Sequence, residues 1–126
     1  MSLQAAVKNR YVGDAVSTVT PAKLVTMLYD ALARDLAQAE QALNGRNLEF
    51  AHSRLVHAQE IVLELQSGLD VSVWSGAAGL MSLYQFMYRE LVAANVGKDV
   101  KKVADVARTV APLREAWHEA AGSTPQ

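Results

Sequence analysis

"LEFAHSRLVHAQEIVLELQSGL", Leu48 to Leu69, decides the fold. Leu48, Ala51, Leu55, Ala58, Val62, Leu65 and Leu69 recur in it at three- and four-residue steps, almost without a break. An α-helix turns about 100° per residue, so these side chains form one line along one side. That is the seam of a coiled coil, and it is stable only when other helices cover it.

The flanking sequence supplies the partners. Upstream, Thr20 is a good N-cap and Pro21 suits the first position of a helix. From there Leu24, Leu28, Leu32, Leu36, Ala39 and Leu43 form a second stripe, flanked by Met27 and Tyr29. Asn44-Gly45 is a helix-ending pair. The seam helix should stop near Gly68 or Asp70, and "DVSVWSGAAG" reads as a loop in which Trp74 is expected to cover the open end of the fold. A third helix is expected from about Ala78 to Asn95, with Gly97 at the corner and Asp99 capping a fourth. Val100, Val103, Ala107, Val110, Leu113 and Trp117 share one side of that fourth helix, and Pro112 should kink or split it near Ala111.

No strand-like alternation of useful length occurs, and the connections are short. The expected fold is therefore all-α, an antiparallel up-down-up-down four-helix bundle. Residues 1–16 are an N-terminal arm, 17–120 the bundle and 121–126 a disordered tail. The chain of 126 residues is 51% apolar, enough for a single domain with its own core.

The third helix carries more large apolar side chains than one buried face can use. In "LYQFMYRELVAAN", Leu83 to Asn95, the stripe Leu83, Tyr84, Met87, Leu91 and Ala94 suffices for a core. Phe86, Tyr88 and Val92 fall outside it. Tyr11 adds an aromatic on an arm able to fold back over the bundle. Surplus apolar groups gathered on one helix point to a partner rather than to a core. The candidate partner-binding residues are Tyr11, Met27, Tyr29, Phe86, Tyr88 and Val92. The partner they suit is an apolar or amphipathic helix held in a groove.

Chemistry is hard to find. Glu49-x-x-His52 and Glu115-x-x-His118 match the ligand pattern of di-metal bundles. Glu49, however, points about 150° from the centre of its seam. One motif starts its helix and the other ends a parallel one, on the order of 25 Å apart. Two solvated faces are the expected reading, so no metal site, no cofactor and no catalytic residue is assigned; a small di-metal or purely structural bundle is the alternative. Cysteine is absent, which removes thiolate chemistry and disulfides. "SGAAGL" lacks the pattern of a phosphate-cradling loop. Lys plus Arg is 12 and Asp plus Glu is 13, with no basic stripe to suit nucleic acid. No apolar run approaches the roughly 18 residues that insert across a membrane. "MSLQAAVKNR" lacks the apolar core of a signal peptide, so a cytoplasmic protein is expected.

Five segments in order resemble a known family. They are Tyr11 with "VSTVTPAKLVTMLYD" (Val16 to Asp30), "HAQEIVLELQSGLD" (His57 to Asp70), "LYQFMYRELVAAN", the turn residue Asp99, and "LREAW" (Leu113 to Trp117). The chain resembles FliS, the family of flagellar export chaperones for flagellin, from Tyr11 to about Glu119. The resemblance implies a cytoplasmic, non-catalytic four-helix bundle that binds the C-terminal region of flagellin. It would hold that segment around its own surface, prevent premature polymerisation and help present the subunit to the flagellar type III export apparatus. Export-gate components are further expected partners, and the free protein is expected to be a monomer or weak dimer. The resemblance associates Tyr11 with flagellin binding, over a groove on the bundle. Before the third helix the chain departs from the family pattern, with Gly79 where an asparagine is common and Trp74 preceding it.

Overall fold

A computed structural model describes residues 20–123. Among these described residues there are four helices: α1 (Pro21–Asn44), α2 (Leu48–Gly68), α3 (Ala77–Gly97) and α4 (Val100–Ser123). The arm, and Tyr11 with it, lies outside the described residues. The expected boundary at residue 120 falls inside α4, and 124–126 lie outside the described residues.

The ends of the helices follow from local chemistry. The Thr20 hydroxyl accepts from Lys23 N–H at 3.1 Å with Pro21 next to it, and the Asn47 side chain accepts from Phe50 N–H at 3.2 Å. Asp99 accepts from both Lys101 N–H and Lys102 N–H, which starts α4 where expected. The left-handed residues at the two tight turns are not the glycines. Arg46 has φ 61° and Lys98 has φ 49°, and among the described residues no glycine takes a positive φ. Gly97 is thus the last residue of α3 rather than the corner. Pro112 does not split α4; it sits inside one continuous helix. It has no N–H to give the Arg108 carbonyl, so one rung of that helix is missing.

The helices form a ring in which α1 and α3 each pack against both α2 and α4. Neighbours are antiparallel. His52, early in α2, bonds Asn95, late in α3, and Asp30, early in α1, bonds Arg114 and His118, late in α4. The core includes Leu32, Leu36 and Ala39 from α1, Leu55, Ala58, Val62 and Leu65 from α2, Met87, Leu91 and Ala94 from α3, and Val103, Val106 and Val110 from α4. Each large apolar side chain buried this way contributes about 1.5–3 kcal/mol.

The seam expected on α2 is the observed one, except that Leu48 is exposed in the first turn. On α1 the buried face is rotated from the expected stripe, and it takes in Thr26, Tyr29, Asp35 and Ala42 while Leu24, Leu28 and Leu43 are only partly buried. Trp74 does not cover the bundle's end. It is 53% exposed and its ring lies against Gly76, leaving no room there for a Cβ.

Candidate functional site

The two edges of α3 are marked by its polar contacts. Asn95 bonds His52 of α2 at 3.2 Å, and Glu90 pairs with Lys102 of α4 at 3.6 Å. Residues three, four or seven apart share a helix edge. Val92 and Tyr88 precede Asn95 by three and seven, so they lie on the edge facing α2. Phe86 precedes Glu90 by four and lies on the edge facing α4. The three surplus residues of α3 therefore split between two grooves.

The facing edge of α2 is read in the same way. Counting from His52, Leu48 lies four residues before, and Val56, Gln59 and Leu63 lie four, seven and eleven after. The antiparallel pairing of His52 with Asn95 brings Val56 level with Val92 and Gln59 level with Tyr88, and Leu63 follows about one turn further along. Val56, Tyr88 and Val92 are half-buried, and the Tyr88 ring packs on the core. Leu63 is 43% exposed. Leu48 and Val96, the latter 83% exposed, continue the apolar line to the turn end. Val73 and Trp74 stand exposed at the loop end. The 21 residues of α2 make this seam about 30 Å long. Near its middle the Gln59 side-chain oxygen is buried with no hydrogen-bond partner. Sequence reading missed Val56 and Leu63. Their one signal was a single seven-residue spacing, off the Leu55 line.

The other expected site residues are dispersed. Met27 is exposed on α1, which packs against α2 and α4 but is not part of this seam. Tyr29 must be corrected outright: it is 0% exposed and sits in the core. Its hydroxyl is 2.6 Å from that of Tyr84, across the bundle from α1 to α3, and its ring stacks on Trp117 at 6.4 Å. A residue off one apolar stripe faces solvent only if no other helix packs there, and α4 does. Burial pushes the Tyr29 hydroxyl above its ordinary range, partly offset by Tyr84 and Trp117. Burial, together with the apposed Tyr29, raises Tyr84 further. Both phenols therefore stay protonated, suited to structure and not to proton transfer near neutral pH.

Two polar clasps hold α1 to its neighbours. Asp35, only 2% exposed, receives Arg54 at 3.2 Å and His57 on its other oxygen. A buried carboxylate needs such partners. Asp30 receives Arg114 at 2.6 Å and His118 at 2.7 Å. Slight burial pushes Asp30 up, but its hydrogen bonds to His118 and Arg114 and their charges outweigh this and hold the carboxyl below its ordinary value. The two Glu-x-x-His motifs thus lie at different places, with His52 committed to Asn95 and His118 to Asp30. Among the described residues no group of three or more His, Asp or Glu is placed to hold a metal ion. Among those residues, too, no helix is long and apolar enough to cross a membrane.

Comparison with known proteins decides the family. The family model described as "Flagellar protein FliS" matches residues 3–124. The chain belongs to the FliS family. Its curated FliS relatives include the flagellar secretion chaperone FliS of Bacillus subtilis, 33% identical over 118 residues that cover 91% of this chain and 88% of the relative. The flagellar secretion chaperone FliS of Vibrio cholerae is 30% identical over 94% of this chain and 87% of its own length. That of Escherichia coli K12 is 30% identical over 86% and 81%. The FliS resemblance read from the five sequence segments therefore holds over nearly the whole chain.

Proposed function

We propose that this FliS-family chain is a cytoplasmic flagellar secretion chaperone whose client is the C-terminal region of flagellin. It binds that region as an amphipathic helix along the seam between α2 and α3. Val56, Leu63, Tyr88 and Val92 take the client's apolar face, with Leu48 and Val96 extending the contact at one end. The observation that carries the reading is this seam: a line of apolar side chains, part buried and part bare, from Leu48 to Leu63 on α2 and from Tyr88 to Val96 on α3. The names of the relatives, flagellar secretion chaperones, support the client class.

Met27 and Phe86 lie on other edges, within reach of a client that wraps further around the bundle. Tyr11, outside the described residues, is a further proposed client contact. Held in this way, the client's helix is unavailable to other subunits, so premature polymerisation is blocked until the subunit reaches the export apparatus. Export-gate components would then meet the loaded complex. The action is holding, not catalysis, and it needs no cofactor.

A polymerisation assay tests this. The cognate flagellin is induced to polymerise with one equivalent of chaperone, unmodified or carrying Leu63→Asp. Suppression by the unmodified protein and its loss in the variant are expected. Equal suppression by both would move the site off this seam, and none by either would remove the function.

A further inference from the structure

We infer that the C-terminal part of α4, residues 113–123, is a strap hinged at Pro112 that opens as a unit while the rest of the bundle stays folded. Three independent features of α4 meet at that residue. The first is burial. Val103, Val106 and Val110, the fully buried residues of α4, all precede Pro112. Beyond it Leu113 and Trp117 are half-buried, as is Ala121, and residues 114, 115, 116, 118, 119 and 120 are exposed. The anchoring of the helix therefore changes abruptly at one place.

The second feature is the backbone. Pro112 cannot donate to the Arg108 carbonyl, so the hydrogen-bond ladder that couples the two parts of α4 lacks one rung and is weakest at that turn. Cooperative units of local opening end where such coupling is weakest. The third is the fastening. Arg114 and His118 both close on Asp30, but all three side chains are over a third exposed. Exposed ion pairs are weak and easily exchanged for water. The half-buried Leu113, Trp117 and Ala121 and a surface clasp thus fasten the strap.

What the strap covers gives the opening a consequence. Trp117 stacks on the buried Tyr29, whose hydroxyl bonds Tyr84. With the strap open, the Tyr29 face and this paired-hydroxyl floor meet solvent, although Tyr29 is fully enclosed when it is closed. The inference concerns the free chain and stands whatever the client is.

Residue-resolved amide hydrogen exchange of the full chain under native conditions tests it. A strap gives a step: protection is uniform over 114–119 and at least about tenfold below that of Val103 to Val110. Pro112→Ala restores the missing donor and should raise protection over 114–119 about tenfold or more, leaving Val103 to Val110 unchanged. In a Trp74→Phe background, acrylamide quenching of Trp117 should fall with the same substitution. A smooth gradient of protection decreasing towards the C-terminus would mean ordinary end fraying and overturn the strap. So would Pro112→Ala leaving exchange and quenching as they were.

Discussion

Replacing Tyr29, Tyr84 or both with phenylalanine probes the centre of the bundle. The two hydroxyls are 2.6 Å apart and buried, on helices that face each other diagonally. Removing one oxygen leaves the other hydroxyl without that partner in a dry core. Such an orphan costs about 1–3 kcal/mol, more than the net worth of the hydrogen bond itself. Removing both leaves no orphan and only small gaps. The double variant should therefore lose clearly less than the sum of the single ones, with a coupling of about 1–2 kcal/mol. Tyr84→Phe should be the milder single change, because the Tyr29 hydroxyl keeps the Trp117 side chain as a polar neighbour. The assay is urea denaturation followed by circular dichroism, with the slope of each transition checked for constancy. Strictly additive losses, or a Tyr29→Phe variant as stable as the parent, would mean that the hydroxyls do not meet. Tyr29 would then regain the partner-facing place that its sequence position suggests.

Three further outcomes follow from the packing. Leu55→Ala should cost about 2–5 kcal/mol of stability, whereas Tyr88→Ala should cost less and act mainly on client affinity; denaturation curves beside binding curves separate the two. Asp35→Ala should destabilise by about 1–3 kcal/mol by removing the charge-assisted hydrogen bonds of Arg54 and His57 to α1, read by the same denaturation. Burial and the nearby Glu60 push Glu64 from 4.5 up to about 6, against a smaller opposing effect of His57. Its contribution to stability is therefore full below about pH 4.5 and lost as pH rises through about 6. Glu64→Gln should be the more stable protein above that range, by about 1 kcal/mol once solvent screening is allowed for. Denaturation at pH 8 should reveal the difference and at pH 4.5 should not.

The helices were legible in the chain because their ends are chemically marked. Thr20-Pro21 and Asp99 act as the sequence suggests, and Asn47 caps α2. The α2 seam was legible because its spacing repeats for five turns. The interior of α1 was not. Tyr29 and Asp35 look like flanking or solvated residues until α2 and α4 close over them. One signal existed: Asp35 follows Leu32 by three and precedes Ala39 by four, which puts the carboxylate in the buried line. The candidate site was half legible. An apolar excess on α3 can be counted from composition, but its division between two edges depends on which helix lies beside each. Only the contacts His52–Asn95 and Lys102–Glu90 supply that. Val56 and Leu63 escaped notice because a side chain on α2 gains meaning as a contact surface only when α3 is placed next to it.

Flagellin's C-terminal segment is proposed to lie along the α2–α3 seam. Calorimetric titration of the chaperone with that segment, repeated at several temperatures and with Leu63→Asp and Val92→Asp, tests it most directly. One client per chain is expected, with a clearly negative heat-capacity change from apolar burial and little dependence on salt. Affinity should fall about tenfold or more when a charge enters the seam, equivalent to roughly 1.4 kcal/mol. Binding that is absent, steeply salt-dependent, or unchanged in both seam variants would contradict that placement.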